Sequence, residues 1–214
     1  MEFKYTEVWN FKGALRGMRN PLESWNKNDS KYDFVSKEYK IGENDLNLAQ
    51  RLIRGGSEHR KFMRQIFVTV DITAPLYWFK EFDTYKIGVT SNSTSTMHKL
   101  ATTPITLDCF ETGDYEPSIM ITNKYNQNFF EDELIPVLEE LRIKYLETKD
   151  KRYWKELIRL LPESWLQTRT VTMNYENIRN IVHQRKGHKL KYEWDSFINW
   201  AYKLPNAKEL IFYE

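Results

Sequence analysis

Cysteine is nearly missing from this sequence. Cys109 is alone among 214 residues, which excludes an intramolecular disulfide framework and a multi-cysteine zinc site. An excess of one charge is missing too: 32 basic against 30 acidic residues leave a net charge of +2, so no global field calls for nucleic acid. No apolar run approaches the ~20 residues of a membrane span, and Met1-Glu2-Phe3-Lys4-Tyr5 lacks a signal-peptide pattern. Those absences predict a cytoplasmic protein in a reducing setting, with neither membrane nor nucleic acid as partner. Neither G-x-x-x-x-G-K-[ST] nor G-x-G-x-x-G occurs, leaving ATP hydrolysis and a Rossmann dinucleotide site without support. Cys109 has no histidine beside it to act as a base for nucleophilic catalysis.

What the chain does have is core material: 41% apolar and 15% aromatic residues, enough to exclude a disordered chain. Its length fits one substantial domain over 1–214. Residues 2–12 read as a strand, and Gly13 to Pro21 as a turn-rich loop. Residues 23–36 read as a surface loop. Asp45 is expected to cap a helix carrying Leu46, Ala49, Leu52 and Ile53, closed by Gly55-Gly56. Ile66, Val68, Val70 and Ile72 alternate as in a strand. Thr73 then caps a helix holding Leu76 to Phe82, with Pro75 near its first turn.

Downstream, residues 105–127 read as irregular. Residues 129–147 read as a helix, since Phe130, Leu134, Val137, Leu138, Leu141 and Tyr145 recur at helical spacing, and Pro136 either kinks that helix or moves its start. Shorter helices are expected over 151–161, stopped by Pro162, over 172–184 and over 190–203, with a last turn or two in 206–213. The fold class is α/β: one domain with a central mixed or antiparallel sheet flanked by several helices.

The strand and helix of Ile66–Phe82 lead to Ser91-Asn92-Ser93-Thr94-Ser95-Thr96-Met97-His98-Lys99. Hydroxyls and amides in that setting suit a polyanionic ligand, because each offers a short hydrogen bond near exposed backbone N–H groups. This run and residues 162–195 together resemble the flavin-dependent thymidylate synthases. That family carries R-H-R-x-x-S-x-N-E-x-S-x-R-Y. Here Thr90 stands for the first Ser, Asn92 matches the Asn, Ser93 replaces the Glu, and Ser95 matches the second Ser. Met97-His98 replace Arg-Tyr, and Tyr85-Lys86-Ile87 replace Arg-His-Arg, so only Lys86 keeps a positive charge there. Further on, Asn174, Arg185 eleven positions later and Glu193 stand in the family's register, Pro162 sits at its L-P, and Arg159 lies one position from a nucleotide-binding arginine. The Arg of the family's N-x-R has become Glu176. Gly55-Gly56-Ser57-Glu58-His59 is similar to the Gly-His segment that touches flavin.

The resemblance implies an enzyme using FAD, reduced by NADPH, to carry a one-carbon unit from methylenetetrahydrofolate to dUMP, giving dTMP, within a homotetramer. On that basis Arg185 and Ser95 are the expected catalytic residues. His59, Lys86, Asn92, Asn174 and Asn180 are expected to hold the cofactor. Ser93, Ser95, Arg159 and Arg185 are expected to hold the nucleotide. Arg16 and Arg19, in the Gly-flanked loop, are the expected substitutes for the missing arginines.

Each residue also has an ordinary role open to it. Ser/Thr/Asn runs cap helices or form loops, His59 and His183 show no metal spacing, and the aromatic set Trp78, Phe79, Phe82, Trp194, Phe197 and Trp200 suits a core or subunit interface. Two further readings therefore stand beside the enzyme: a flavin- or nucleotide-binding protein without methyl transfer, and an interaction protein whose polar run only caps a helix.

Overall fold

The computed structural model describes residues 1–113 and 128–214, so much of the irregular stretch expected over 105–127 lies outside the described residues. The chain groups into two compact units. One comprises Met1–Ile72, Phe82–Asn92 and Thr170–Glu214, the other Thr73–Glu81 and Ser93–Arg169. Among the described residues no helix is long and apolar enough to cross a membrane, and no group of acidic, histidine and cysteine side chains could hold a metal ion.

The first unit begins with strand β1 (Glu2–Trp9) and helix α1 (Phe11–Met18). The helix corrects the loop expected from Gly13, Gly17 and Pro21. Phe11, Ala14, Leu15 and Met18 are buried on one face, the i, i+3, i+4, i+7 spacing of an amphipathic helix. Its glycines serve close approach: a Cβ at Gly13 would strike the Asn10 carboxamide, and one at Gly17 would meet the Gln65 side chain at 2.8 Å. After a hairpin of β2 (Lys31–Asp33) and β3 (Glu38–Lys40), paired antiparallel, comes α2 (Glu43–Arg54).

Asp45 does not cap α2; Gly42 occupies that position. Its fully buried carboxylate instead accepts from Arg19 Nε at 2.6 Å, Asn28 Nδ2 at 2.8 Å, the backbone N–H groups of Asp29 and Ser30 at 3.3 and 3.2 Å, and Ser30 Oγ at 2.5 Å. A buried charge persists only when paired and hydrogen-bonded, and these donors meet that need. They also tie the stretch read as a surface loop to α2.

Strand β4 (Phe67–Pro75) buries Val68, Val70, Ile72 and Ala74 in the expected alternation. It continues through Thr73 and Pro75, which correct the expected cap and first helical turn. Helix α3 starts at Leu76 and ends at Phe82. Its first amides find acceptors in the chain before the next long strand: Leu76 N–H donates to the Trp165 carbonyl and Tyr77 N–H to that of Glu163, each at 3.1 Å. With those donors satisfied, no side-chain cap is needed.

Strand β5 (Thr90–Ser93) and the short helix α4 (Thr96–Lys99) form the polar run. A π-helical turn over Phe130–Leu134 runs directly into α5 (Ile135–Thr148), so helical structure covers the expected 129–147, with Pro136 at the change from wide to α-helical turns. Helix α6 (Lys151–Leu160) is capped by Asp150. Leu100, Ile105, Phe110, Leu138 and Leu157 form the core of this second unit.

Strand β6 (Leu166–Asn174) is the element that the periodicity missed; its last three residues fall in the expected helix 172–184. Helix α7 (Tyr175–Arg185) begins only after it. The strand is fixed by polar cross-strand pairs: Thr69 with Thr172 at 2.9 Å, Thr170 donating to Asp71 at 2.6 Å, and Thr73 with Thr168 at 2.7 Å. Each step of two along β4 matches a step of two back along β6, the register of an antiparallel pair. The strand order is β1-β4-β6-β5. Helices α8 (Lys191–Tyr202) and α9 (Ala207–Leu210) close the first unit.

The end of the chain is drawn onto α7 by Arg179, whose Nη1 donates to the carbonyls of Ile211 (2.8 Å) and Tyr213. His183 joins it, with Nε2 at 3.2 Å from the Ile211 carbonyl. Burial and the neighbouring Arg179 charge push the His183 pKa below its ordinary 6.5. The folded chain therefore binds this proton less readily than the unfolded one. Stability is held above pH 6.5 and is expected to fall as pH drops through it. In thermal melts from pH 8 to pH 5, His183→Gln should flatten that slope; an unchanged slope would assign the acid sensitivity elsewhere.

Candidate functional site

The site in the first unit is built from the loop after α3, laid antiparallel along α7. Asn174 opens α7 with a reciprocal cap: its Oδ1 accepts from the Asn177 N–H at 2.9 Å, and Asn177 Oδ1 accepts from the Asn174 N–H at 3.1 Å. Two orphan donors are satisfied at once. Asn177 Nδ2 then donates to the Ile87 carbonyl at 2.7 Å, fixing the loop. Gly88, at φ +75°, lies so close that a Cβ would sit 3.1 Å from Asn174 Nδ2. Positive φ and close approach both call for glycine.

At the other end of α7, Arg185 Nε donates to Tyr85 Oη at 2.8 Å. Its guanidinium carbon lies 4.7 Å from the Trp194 ring centroid and 5.3 Å from that of Tyr85. The two rings meet edge to face at 6.5 Å. Two rings set edge to face against a planar cation orient it and contribute cation–π attraction. Trp194 is fully buried and packs on Phe197, which packs on Trp200. The aromatic set expected as core thus also positions the arginine.

Beside this loop opens a cleft of about 280 Å³ lined by Phe82, Asp83, Tyr85, Lys86, Val89 and Ser91. It is built around Tyr85 and Lys86, where the resemblance places the missing Arg-His-Arg. Lys86 and Asn92 are exposed, Asn92 on β5.

The other expected site residues in this unit have more structural roles. Asn180 Oδ1 accepts from Arg60 Nη2 at 3.3 Å, and the same arginine's Nε donates to Glu176 at 3.0 Å. Arg64 Nε pairs with the second Glu176 oxygen. The carboxylate that stands where the family has arginine is therefore answered by two guanidinium groups from the turn before β4. His59 is exposed in the turn after α2, with its N–H donating to the Gly56 carbonyl. Arg19 is buried against Asp45, while Arg16 is exposed.

Three expected residues belong to the second unit. Ser93 ends β5 and is exposed. Ser95 caps α4, its Oγ accepting from the His98 N–H at 3.2 Å. It also lines a cleft of about 160 Å³ with Thr94, Thr96, Lys99, Cys109 and Trp165. Arg159 is exposed on α6 and pairs with Glu156 at 2.9 Å. Sequence reasoning missed Tyr85 and Trp194 as the cradle of Arg185, and Asn177 as a partner of Asn174. The Asn-x-x-Asn spacing at 174–177 was the available signal for the second.

Solved structures of flavin-dependent thymidylate synthases share this fold over the full length of the chain. Two of them are structures of flavin-dependent thymidylate synthase ThyX from Helicobacter pylori with FAD and dUMP. One is 17% identical with a TM-score of 0.65, covering 100% of this chain and 98% of that one. The other is 18% identical with a TM-score of 0.66, covering 99% and 97%. No family model and no curated protein matches the sequence itself.

Proposed function

We propose that this chain is a divergent flavin-dependent thymidylate synthase-like enzyme, transferring a one-carbon unit from methylenetetrahydrofolate to dUMP with FAD and NADPH. The observation that carries the reading is Arg185, in register with the family's pyrimidine-binding arginine and oriented by Tyr85 and Trp194 beside the cleft. The full-length likeness to ThyX structures complexed with FAD and dUMP supports it.

The cleft would meet a phosphorylated flavin with the Lys86 ammonium and the hydroxyls of Tyr85 and Ser91, the Asp83 carboxylate also lying on its lining, rather than with a cluster of arginines. Lys86 and Ser91 line the cleft, and Asn174 keeps its Nδ2 beside Gly88 while its oxygen caps α7. With Asn92, Asn180 and His59, these are the residues that would hold the cofactor. When bound, flavin supplies the redox chemistry. Arg185 would orient the pyrimidine of the nucleotide. Homotetrameric assembly and a cytoplasmic location complete the proposal.

The loss of arginine at the Arg-His-Arg position favours one second reading, a flavin- or nucleotide-binding protein without methyl transfer. A planar fork pairs two phosphate oxygens where an ammonium group meets one, so transfer is more exposed to this loss than binding. Purified protein supplemented with FAD should show flavin absorbance after desalting and convert dUMP to dTMP with NADPH and the folate. Bound flavin without dTMP selects the second reading; a colourless protein with no thermal shift from FAD or dUMP removes both.

A further inference from the structure

A second cleft in the first unit, about 260 Å³, is lined by Lys12, Arg16, Arg19, Trp25, Asn28, Ser30 and Tyr39. It shares no lining residue with the cleft around Tyr85 and Lys86. Lys12, Arg16 and Arg19 follow one another at i, i+4 and i+7, which stacks three cationic side chains along one face of α1 and its cap. No carboxylate lines the cleft. Asp45, behind it, is saturated by its five donors. Asp29 accepts from the N–H groups of Asn44 and Asp45, at 2.8 and 3.1 Å. No ion pair joins Lys12 or Arg16 to a carboxylate among the described residues.

Arg19 supplies an independent observation. It is only 3% exposed; Nε donates to Asp45, Nη1 to the Ser24 carbonyl at 3.4 Å, and Nη2 has no partner. A buried guanidinium nitrogen left without an acceptor is costly. An anion in the cleft that Arg19 walls would remove that cost and meet the charges of Lys12 and Arg16. The organic part of such a ligand has a surface waiting. Trp25 is 48% exposed, yet its indole is pinned by donating to Asn20 Oδ1 at 2.9 Å. Tyr39, stacked on Phe11 with centroids 5.9 Å apart, forms another wall.

We infer that this cleft is a binding site for a small phosphate-bearing molecule, with its phosphate at Lys12, Arg16 and Arg19 and its flat ring against Trp25. The inference does not rest on flavin chemistry, and it gives Arg16 and Arg19 a ligand of their own. The probes are inorganic pyrophosphate, which reads the phosphate group alone, and uridine 5′-monophosphate, which adds a ring and is read in the Arg185→Ala background, where the nucleotide site proposed above is removed; both are titrated calorimetrically into the full chain.

Pyrophosphate should bind at one site and weaken steeply with added salt, as screened ion pairs do. Lys12→Gln with Arg16→Gln changes only exposed positions and should cost at least about tenfold in affinity for both probes, with the melting temperature held. Trp25→Ala should weaken uridine 5′-monophosphate and leave pyrophosphate unchanged. Arg185→Ala should leave pyrophosphate binding intact, because that arginine bonds Tyr85 beside the other cleft and does not line this one. Absence of pyrophosphate binding, indifference to the double variant, or loss on Arg185→Ala would each overturn the site. Indifference of the nucleotide to Trp25→Ala would overturn the placement of the ring. Because pyrophosphate carries no flavin, failure here is separable from failure of the flavin reading.

Discussion

Replacing Asp45 with alanine should destabilise the protein by about 3–5 kcal/mol, the range for breaking a buried ion pair by removing one partner. The reason lies in what remains. Arg19 would keep its charge in the interior with only a 3.4 Å bond to the Ser24 carbonyl, and four further donors from Asn28, Asp29 and Ser30 would lose their acceptor. Asp45→Asn should cost less, since a carboxamide oxygen still accepts. The double variant Arg19→Met/Asp45→Leu should recover part of the loss, because two apolar groups need no partners. Urea unfolding curves measure all three, and a change under 1 kcal/mol for Asp45→Ala would refute the hub. The slope of those curves should hold if the folded state keeps its extent.

The largest effect on function is expected at Arg185. If the proposed reading holds, Arg185→Ala should weaken dUMP binding by about 10- to 100-fold, the loss of one or two charge-assisted hydrogen bonds at roughly 1.5–3 kcal/mol. Arg185→Lys should rescue little, since an ammonium group lacks the planar fork and its stacking against rings. The Tyr85 and Trp194 faces recognise a flat cation, not merely a charge. Stability should fall modestly, because the Tyr85 hydrogen bond and the ring contacts are lost while the Asn174–Asn177 cap stays intact. Calorimetric titration with dUMP, alongside thermal melts, separates the two. Equal affinity in wild type and variant would break the link between this arginine and the nucleotide.

The contrast between Arg185 and Arg19 shows how far residue order carries. Arg185 comes from the resemblance, since Asn174 and Glu193 stand with it in the family's register. Tyr85 could not be read as its partner, because 100 positions separate the two and nothing local in either segment signals the other. Arg19 was singled out as a cation in a flexible loop. It is a buried residue at the end of an amphipathic helix. Glycines at 13 and 17 read as breakers, but the tertiary environment made them the residues that fit against Asn10 and Gln65. Propensity is a weak prior where neighbouring side chains claim the space of a Cβ.

Local pattern by itself determined the strand at Ile66–Ile72, the helices at 135–148, 151–160 and 191–202, and an α/β class, because one-sided burial imposes periods of 2 and 3.6 on apolar residues. Tertiary structure alone decided that Leu166–Asn174 is a strand, since its Thr-rich sequence gains stability from partners on β4 that lie about a hundred residues away. It alone decided that Asp45 is a buried hub, that Glu176 is answered by Arg60 and Arg64, and that Arg185 lies against two rings. Those outcomes depend on charges and faces meeting across long sequence separations, where one-dimensional periodicity carries no information.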